Sequence, residues 1–173
     1  MVRHPAAFAP TAAEVLSPTA RPPLSVLTDF GARDLVTRDG VVVGLSLAGR
    51  SFVAHSDALF AVAPLLVEVH VIAVRHLLGE FVRCANLARL RNIDLSGNRI
   101  GPAGAELLAA CEHFASLQAL DLTANSPGDA GIRALFAAPW AESIRELRLS
   151  ADELSADGER AARNRFGNRL LLT

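Results

Sequence analysis

Three short runs, "LRNIDL", "LQALDL" and "IRELRL", repeat one apolar pattern, L-x-x-L-x-L. They place Leu90, Ile93 and Leu95, then Leu117, Leu120 and Leu122, then Ile144, Leu147 and Leu149, with the same interval between successive sets. The pattern continues backward, at a slightly shorter interval, to "LVEVHV" (Leu66, Val69, Val71) and "VVGLSL" (Val42, Leu45, Leu47). It continues forward, again at a shorter interval, to "RLLL" (Leu170, Leu172). A period of this size marks a stack of supersecondary units, none of which can bury its apolar face alone. The expectation is six short parallel strands, one per coil, sharing a continuous core.

Between the strands the periodicity changes from two to helical. "PAGAELLAACEHF" places Ala103, Leu107, Leu108 and Cys111 on one face, with Pro102 in the first turn, where a missing N–H costs nothing. "GDAGIRALFAA" repeats the theme with Ile132, Leu135 and Phe136. "SADGERAARNRFG" predicts a helix capped by Ser155, acidic early, basic late and ended by Gly167. "SFVAHSDALFAVA" and "HLLGEFVRC" also predict helices. The fold class is therefore α/β: a short solenoid with a curved parallel sheet inside and helices on the convex side.

A solenoid exposes the edge of its first strand, which needs covering. Asp39-Gly40 lies between two β-rich runs and favours a tight hairpin turn with φ > 0. Residues 24–41 are thus expected to form an N-terminal hairpin cap, residues 155–173 a C-terminal cap, and residues 1–23 a disordered tail.

"LRNIDLSGNRIGPAGAELLAA" followed by "LQALDLTANSPGDAGIRALFAA" resembles leucine-rich repeats of the ribonuclease-inhibitor type. The resemblance spans roughly Val42 to Thr173 and implies a helix on the convex side of each coil. More narrowly, "VVVGLSLAGRSFVAHSDALFAVAPLLVEVHV" and the ending "RNRFGNRLLL" look like segments of planctomycete, hence bacterial, proteins that carry a repeat-companion domain. The acidic, Trp-containing segment usual before such repeats has no counterpart here; residues 1–23 stand in its place, as in a truncated or divergent member.

Asp94, Ser96 and Asn98 fall within one short stretch and could suggest chemistry. The repeat explains them otherwise. After the strand the chain turns sharply, and buried backbone groups there need partners. An Asn amide both donates and accepts, so Asn98 and its counterpart Asn125 are expected to serve the turns of their own and adjacent coils. The neighbouring coils hold Arg50, Val74 and Asp152 at that place. Side chains alternate along a strand, so the inner face should carry Ser46, Glu68, His70, Asn92, Asp94, Asp121, Thr123, Glu146 and Arg148. Of these, Glu68, His70, Asn92, Asp94, Asp121 and Arg148 are the candidate partner contacts. Asp94 and Asp121 could serve acid–base chemistry, but solvated carboxylates recur here because the unit recurs.

No nucleophile–base constellation, phosphate-binding glycine loop or metal-ligand spacing stands out, so neither catalysis, a cofactor nor a metal is expected. His76 and Glu80 share i, i+4 spacing, but two ligands alone hold zinc poorly. The formal net charge of -1 gives no reason to expect nucleic acid or an anionic membrane. Tyr is absent and Trp140 is alone, so an aromatic-anchored interface is not foreseen. Cys84 and Cys111 are too few for a disulfide framework, and as packed free thiols they fit a reducing compartment. Pro5, Pro10, Pro18, Pro22 and Pro23 interrupt any apolar leader, and "LFAVAPLLVEVHVIAV" is cut by Pro64, Glu68 and His70 before it reaches spanning length. The sequence thus predicts a cytoplasmic, non-catalytic module binding an unidentified protein through its concave face. The alternative is a structural or self-associating fragment that pairs through its C-terminal edge strand, where Leu171 should face outward.

Overall fold

The computed structural model describes residues 25–173. The tail expected over residues 1–23 lies outside the described residues. Helix α1 (Ser25–Asp29) leads into a hairpin of β1 (Arg33–Arg38) and β2 (Val41–Ala48). The chain then runs α2 (Gly49–Val62), β3 (Glu68–Ile72), α3 (Leu78–Phe81), β4 (Asn92–Asp94) and α4 (Gly101–Ala109). It continues with β5 (Ala119–Asp121), α5 (Gly128–Ala137), β6 (Glu146–Leu149), α6 (Ala156–Phe166) and β7 (Leu170–Leu172). The seven strands form one sheet in sequential order, parallel except for the β1–β2 hairpin.

The register follows from the repeat. Leu45, Val69, Ile93, Leu120, Leu147 and Leu170 lie side by side across β2 to β7. All six are buried, and so are Leu47, Val71, Leu95, Leu122 and Leu149. Ring pairs extend this core along the solenoid: Phe52 packs on Phe81 at 5.2 Å between centroids, and Trp140 meets Phe114 edge-on at 5.6 Å, a favoured aromatic arrangement. The expected hairpin forms at Asp39 and Gly40, with φ of 51° and 74°, both positive as a type I′ turn requires.

Two helix expectations need correction. "HLLGEFVRC" holds only a 3-10 turn (Arg75–Leu77) and the short α3. In the coil before, α2 starts directly where β2 ends. Here a left-handed turn at Ala73, with φ of 55°, follows the strand, and a second 3-10 segment (Ala85–Arg89) leads into the next one. These turns occupy chain that a full return helix would need. In α4 the inward residues are Gly104, Ala105 and Leu108, followed by Cys111; Ala103 is exposed and Leu107 is 43% exposed. The close approach of coils decides this. A methyl group built on Gly131 of α5 would lie 2.7 Å from Cβ of Ala105, so only the small-residue side of α4 fits against its neighbour. The expectations for the last two helices hold. Ile132 and Leu135 are buried with Phe136 packed beside them. Ser155 caps α6 by accepting a hydrogen bond from the Gly158 N–H at 3.0 Å, and Gly167 ends that helix at φ 55°.

Candidate functional site on the inner face of the sheet

Alternation sends every second strand residue away from the core. The pairing register assembles these residues into two rows across the strands. One row runs Glu68, Asn92, Ala119, Glu146. The other runs Ser46, His70, Asp94, Asp121, Arg148, Leu171. All six partner-contact candidates therefore stand on one surface, and together they line a hollow of about 460 Å³. Its walls also include Asp34 and Val36 of β1, a strand expected only to serve as part of a cap. The pairing of β1 with β2 shifts register between Arg33 and Thr37, and Asp34 takes a φ of 48°. Bulges re-aim side chains in this way, and a hydrophobic pattern alone does not announce them.

Several polar groups of the hollow already have partners. The hydroxyl of Ser46 lies 3.3 Å from Nδ1 of His70. Asp94 accepts the Ser96 N–H through Oδ1 at 2.8 Å. Asp121 accepts the Thr123 N–H at 2.9 Å and its hydroxyl at 2.8 Å. Each aspartate thus braces the turn that follows its own strand. The Arg148 guanidinium sits 2.6 Å from Glu146 and 3.7 Å from Asp121. Apart from the Ser46–His70 contact, the arrangement offers mainly carboxylate acceptors and one compensated cation.

The turns above the strands carry the asparagines. Asn98 Oδ1 accepts the Val74 N–H at 2.9 Å, while its Nδ2 donates to the carbonyls of Val71 at 2.7 Å and Leu95 at 2.8 Å. Asn125 Oδ1 accepts the Ile100 N–H at 3.2 Å, and its Nδ2 donates to the carbonyls of Leu95 at 2.8 Å and Thr123 at 3.1 Å. Both side chains are buried. Each amide spans its own coil and the one before it. In the last coil it is Glu153 rather than the aligned Asp152 that reaches back, accepting the Asn125 N–H at 3.2 Å and the Ser126 hydroxyl at 3.0 Å. The longer side chain covers one position of offset, which alignment by position cannot reveal.

Across the coil that contains Asn98, residues 90–109 match the family model described as a leucine-rich repeat. The fold is a leucine-rich-repeat solenoid. Among curated proteins, none matches the chain.

On the side of the leucine-rich-repeat coils away from the inner face, both cysteines are free thiols. Cys111 is buried and directs its thiol at the Val82 carbonyl, 3.4 Å away; burial pushes its pKa up to about 11. Cys84 is half-buried, and desolvation raises its thiol too. A nucleophilic cysteine needs the opposite shift. Trp140 packs nearby with its indole N–H donated to the Leu108 carbonyl at 3.1 Å. Among the described residues, no three His, Cys, Asp or Glu side chains converge as metal ligands, and no helix is long and apolar enough to cross a membrane.

Proposed function

We propose that this leucine-rich-repeat chain is a non-catalytic interaction module that binds a protein partner through its concave face. The carrying observation is the gathering of Glu68, His70, Asn92, Asp94, Asp121 and Arg148 around one open hollow. Solenoids present such extended surfaces because each coil adds one strand to them. The equal spacing of Ile93, Leu120 and Leu147 and the return helices α4 and α5 favour the ribonuclease-inhibitor subtype, and the free thiols suit a reducing, cytoplasmic setting. The bacterial repeat-companion group remains the narrower expectation that the sequence supports. The test is affinity capture with the full chain and with a variant carrying alanine at Asp94, Asp121 and Arg148. Loss of specific bands with retained folding supports the reading; identical capture by both forms overturns it.

A second reading has its own observation. β7 ends the described sheet, and Leu171 is 41% exposed on it. The strand "LLL" carries none of the charges or prolines that usually blunt a free edge. Self-association through this edge predicts a dimer that Leu171→Lys dissociates. Light scattering that finds only monomer at high concentration rejects it.

A further inference from the structure

The hollow is lined by five carboxylates, from Asp34, Glu68, Asp94, Asp121 and Glu146, and by a single cation, Arg148. Their balance differs between its two ends. Arg148 pairs with Glu146 and Asp121 at the β5–β6 end. At the other end, Asp34, Glu68 and Asp94 take part in no ion pair among the described residues. Arg33 pairs backbone-to-backbone opposite Ser46 but is not a wall of the hollow.

The same end has an apolar wall. Val36 is 44% exposed and lies over Gly44, where a Cβ would sit 3.2 Å from its own. Glycine at position 44 therefore lets the β1 valine lean onto the sheet beside Glu68. An apolar patch next to uncompensated carboxylates is the complement of a long basic side chain, which packs its methylene stem on apolar surface and keeps its charged head among acceptors. A guanidinium fits better than an ammonium, since its planar fork can serve carboxylates on adjacent strands together. Phosphate-bearing ligands would meet like charge across the whole surface.

We infer that the β1–β4 end of the concave face is a recognition site for an arginine side chain of an extended peptide segment in a protein partner. This rests on the concave face being the binding surface, and it adds the partner's chemistry and the end of the face that reads it. Glu68 and Asp34 supply the charge, Asp94 and Asn92 border the head, and Val36 holds the stem. The Arg148 end, where one guanidinium offsets part of the charge of two carboxylates, contributes shape and less charge selectivity.

The test uses the full chain and three short fluorescein-labelled peptides of equal length in which alanine alternates with arginine, glutamine or glutamate. Anisotropy should show the arginine peptide binding at least about tenfold tighter than the glutamine one, with the advantage shrinking as salt rises. Glu68→Gln and Asp34→Asn, both near-isosteric, should each weaken the arginine peptide about fivefold. Arg148→Gln should strengthen it, because Glu146 and Asp121 lose their internal cation. Equal affinity for the arginine and glutamine peptides, or indifference to Glu68→Gln, overturns the inference. Ala119→Trp, placed mid-row between Asn92 and Glu146, separates the two levels of the argument. If it abolishes partner capture while Glu68→Gln and Asp34→Asn leave capture unchanged, the concave face binds but not through a cation. If it leaves capture intact, the binding surface itself is misplaced and both readings fall.

Discussion

The turn at Asn98 and the turn at Glu153 solve one problem with different chemistry. At Asn98, a coil lies on either side, so buried backbone donors and acceptors both need partners. A carboxamide provides for both, taking the Val74 N–H and giving to the Val71 and Leu95 carbonyls. At Glu153 the bonds run only backward, and the groups to be met are donors, the Asn125 N–H and the Ser126 hydroxyl. An acceptor-only carboxylate suffices there. Val74 needs no polar side chain at all, because its turn is served by the coil that follows. The residue at a repeat position is thus set by which backbone groups its neighbours leave open, and a departure from asparagine is not a defect in the repeat.

This contrast can be broken by substitution. Asn98→Ala should have the largest effect. It leaves the Val74 N–H and the Val71 carbonyl without their partner, whereas Leu95 keeps its bond from Asn125. At roughly 1–3 kcal/mol for each buried group left unmet, the expected loss is about 4 kcal/mol, read from urea denaturation. Asn125→Ala should cost about half as much, since it strands the Ile100 N–H while Leu95 retains Asn98. Equal losses for the two would show that the amides act through packing rather than through the groups they serve. Glu153→Ala should cost about 1 kcal/mol, because its partner Ser126 is exposed and water can replace the carboxylate.

Acid should distinguish the two ends without any substitution. Asp129 holds Ser155 at the start of α6 through its hydroxyl and its N–H, and these bonds keep the Asp129 carboxyl below its ordinary 3.8. A depressed acid stabilises the fold above its unfolded value and loses that contribution as pH falls through the folded one. As pH falls below that ordinary value, amide hydrogen exchange should therefore rise first around residues 150–160. The Val74 and Ile100 N–H groups, held by the Asn98 and Asn125 amides, which do not titrate, should stay protected until global unfolding. The smallest effect is expected at Ala124, which holds a φ of 55° next to Asn125, where the coil before has Gly97 at 70°. Ala124→Gly relieves the left-handed strain but frees the unfolded chain. A net gain of about 0.5 kcal/mol in melting experiments is the expected outcome.

The parts of this molecule that could be read in advance are those fixed by periodicity. Six apolar positions recurring from Leu45 to Leu170 determined the strands, their neighbours and their register. The same alternation placed Glu68, His70, Asn92, Asp94, Asp121 and Arg148 on a common face. What escaped depends on geometry that a one-dimensional pattern does not carry. Leu107 faces solvent because α4 approaches α5 along glycine and alanine, so the more apolar side lost to the more compact one. Asp34 enters the hollow through a bulge and a left-handed backbone. Glu153 replaces Asp152 by virtue of one extra methylene. Which end of the hollow lacks a cation followed only once Arg148 was seen to reach both Glu146 and Asp121.

The contact between Gly131 and Ala105 has a mechanical meaning for the opposite side of the molecule. Strands stack about 4.8 Å apart, while helices of ordinary side chains stand about 8–10 Å apart; that mismatch is the wedge that bends a solenoid into an arc. Where α4 and α5 meet through a missing methyl group, the wedge is thinner and the arc opens. A residue on the outer wall, remote from every inner-face side chain, thereby tunes the aperture through which anything must enter.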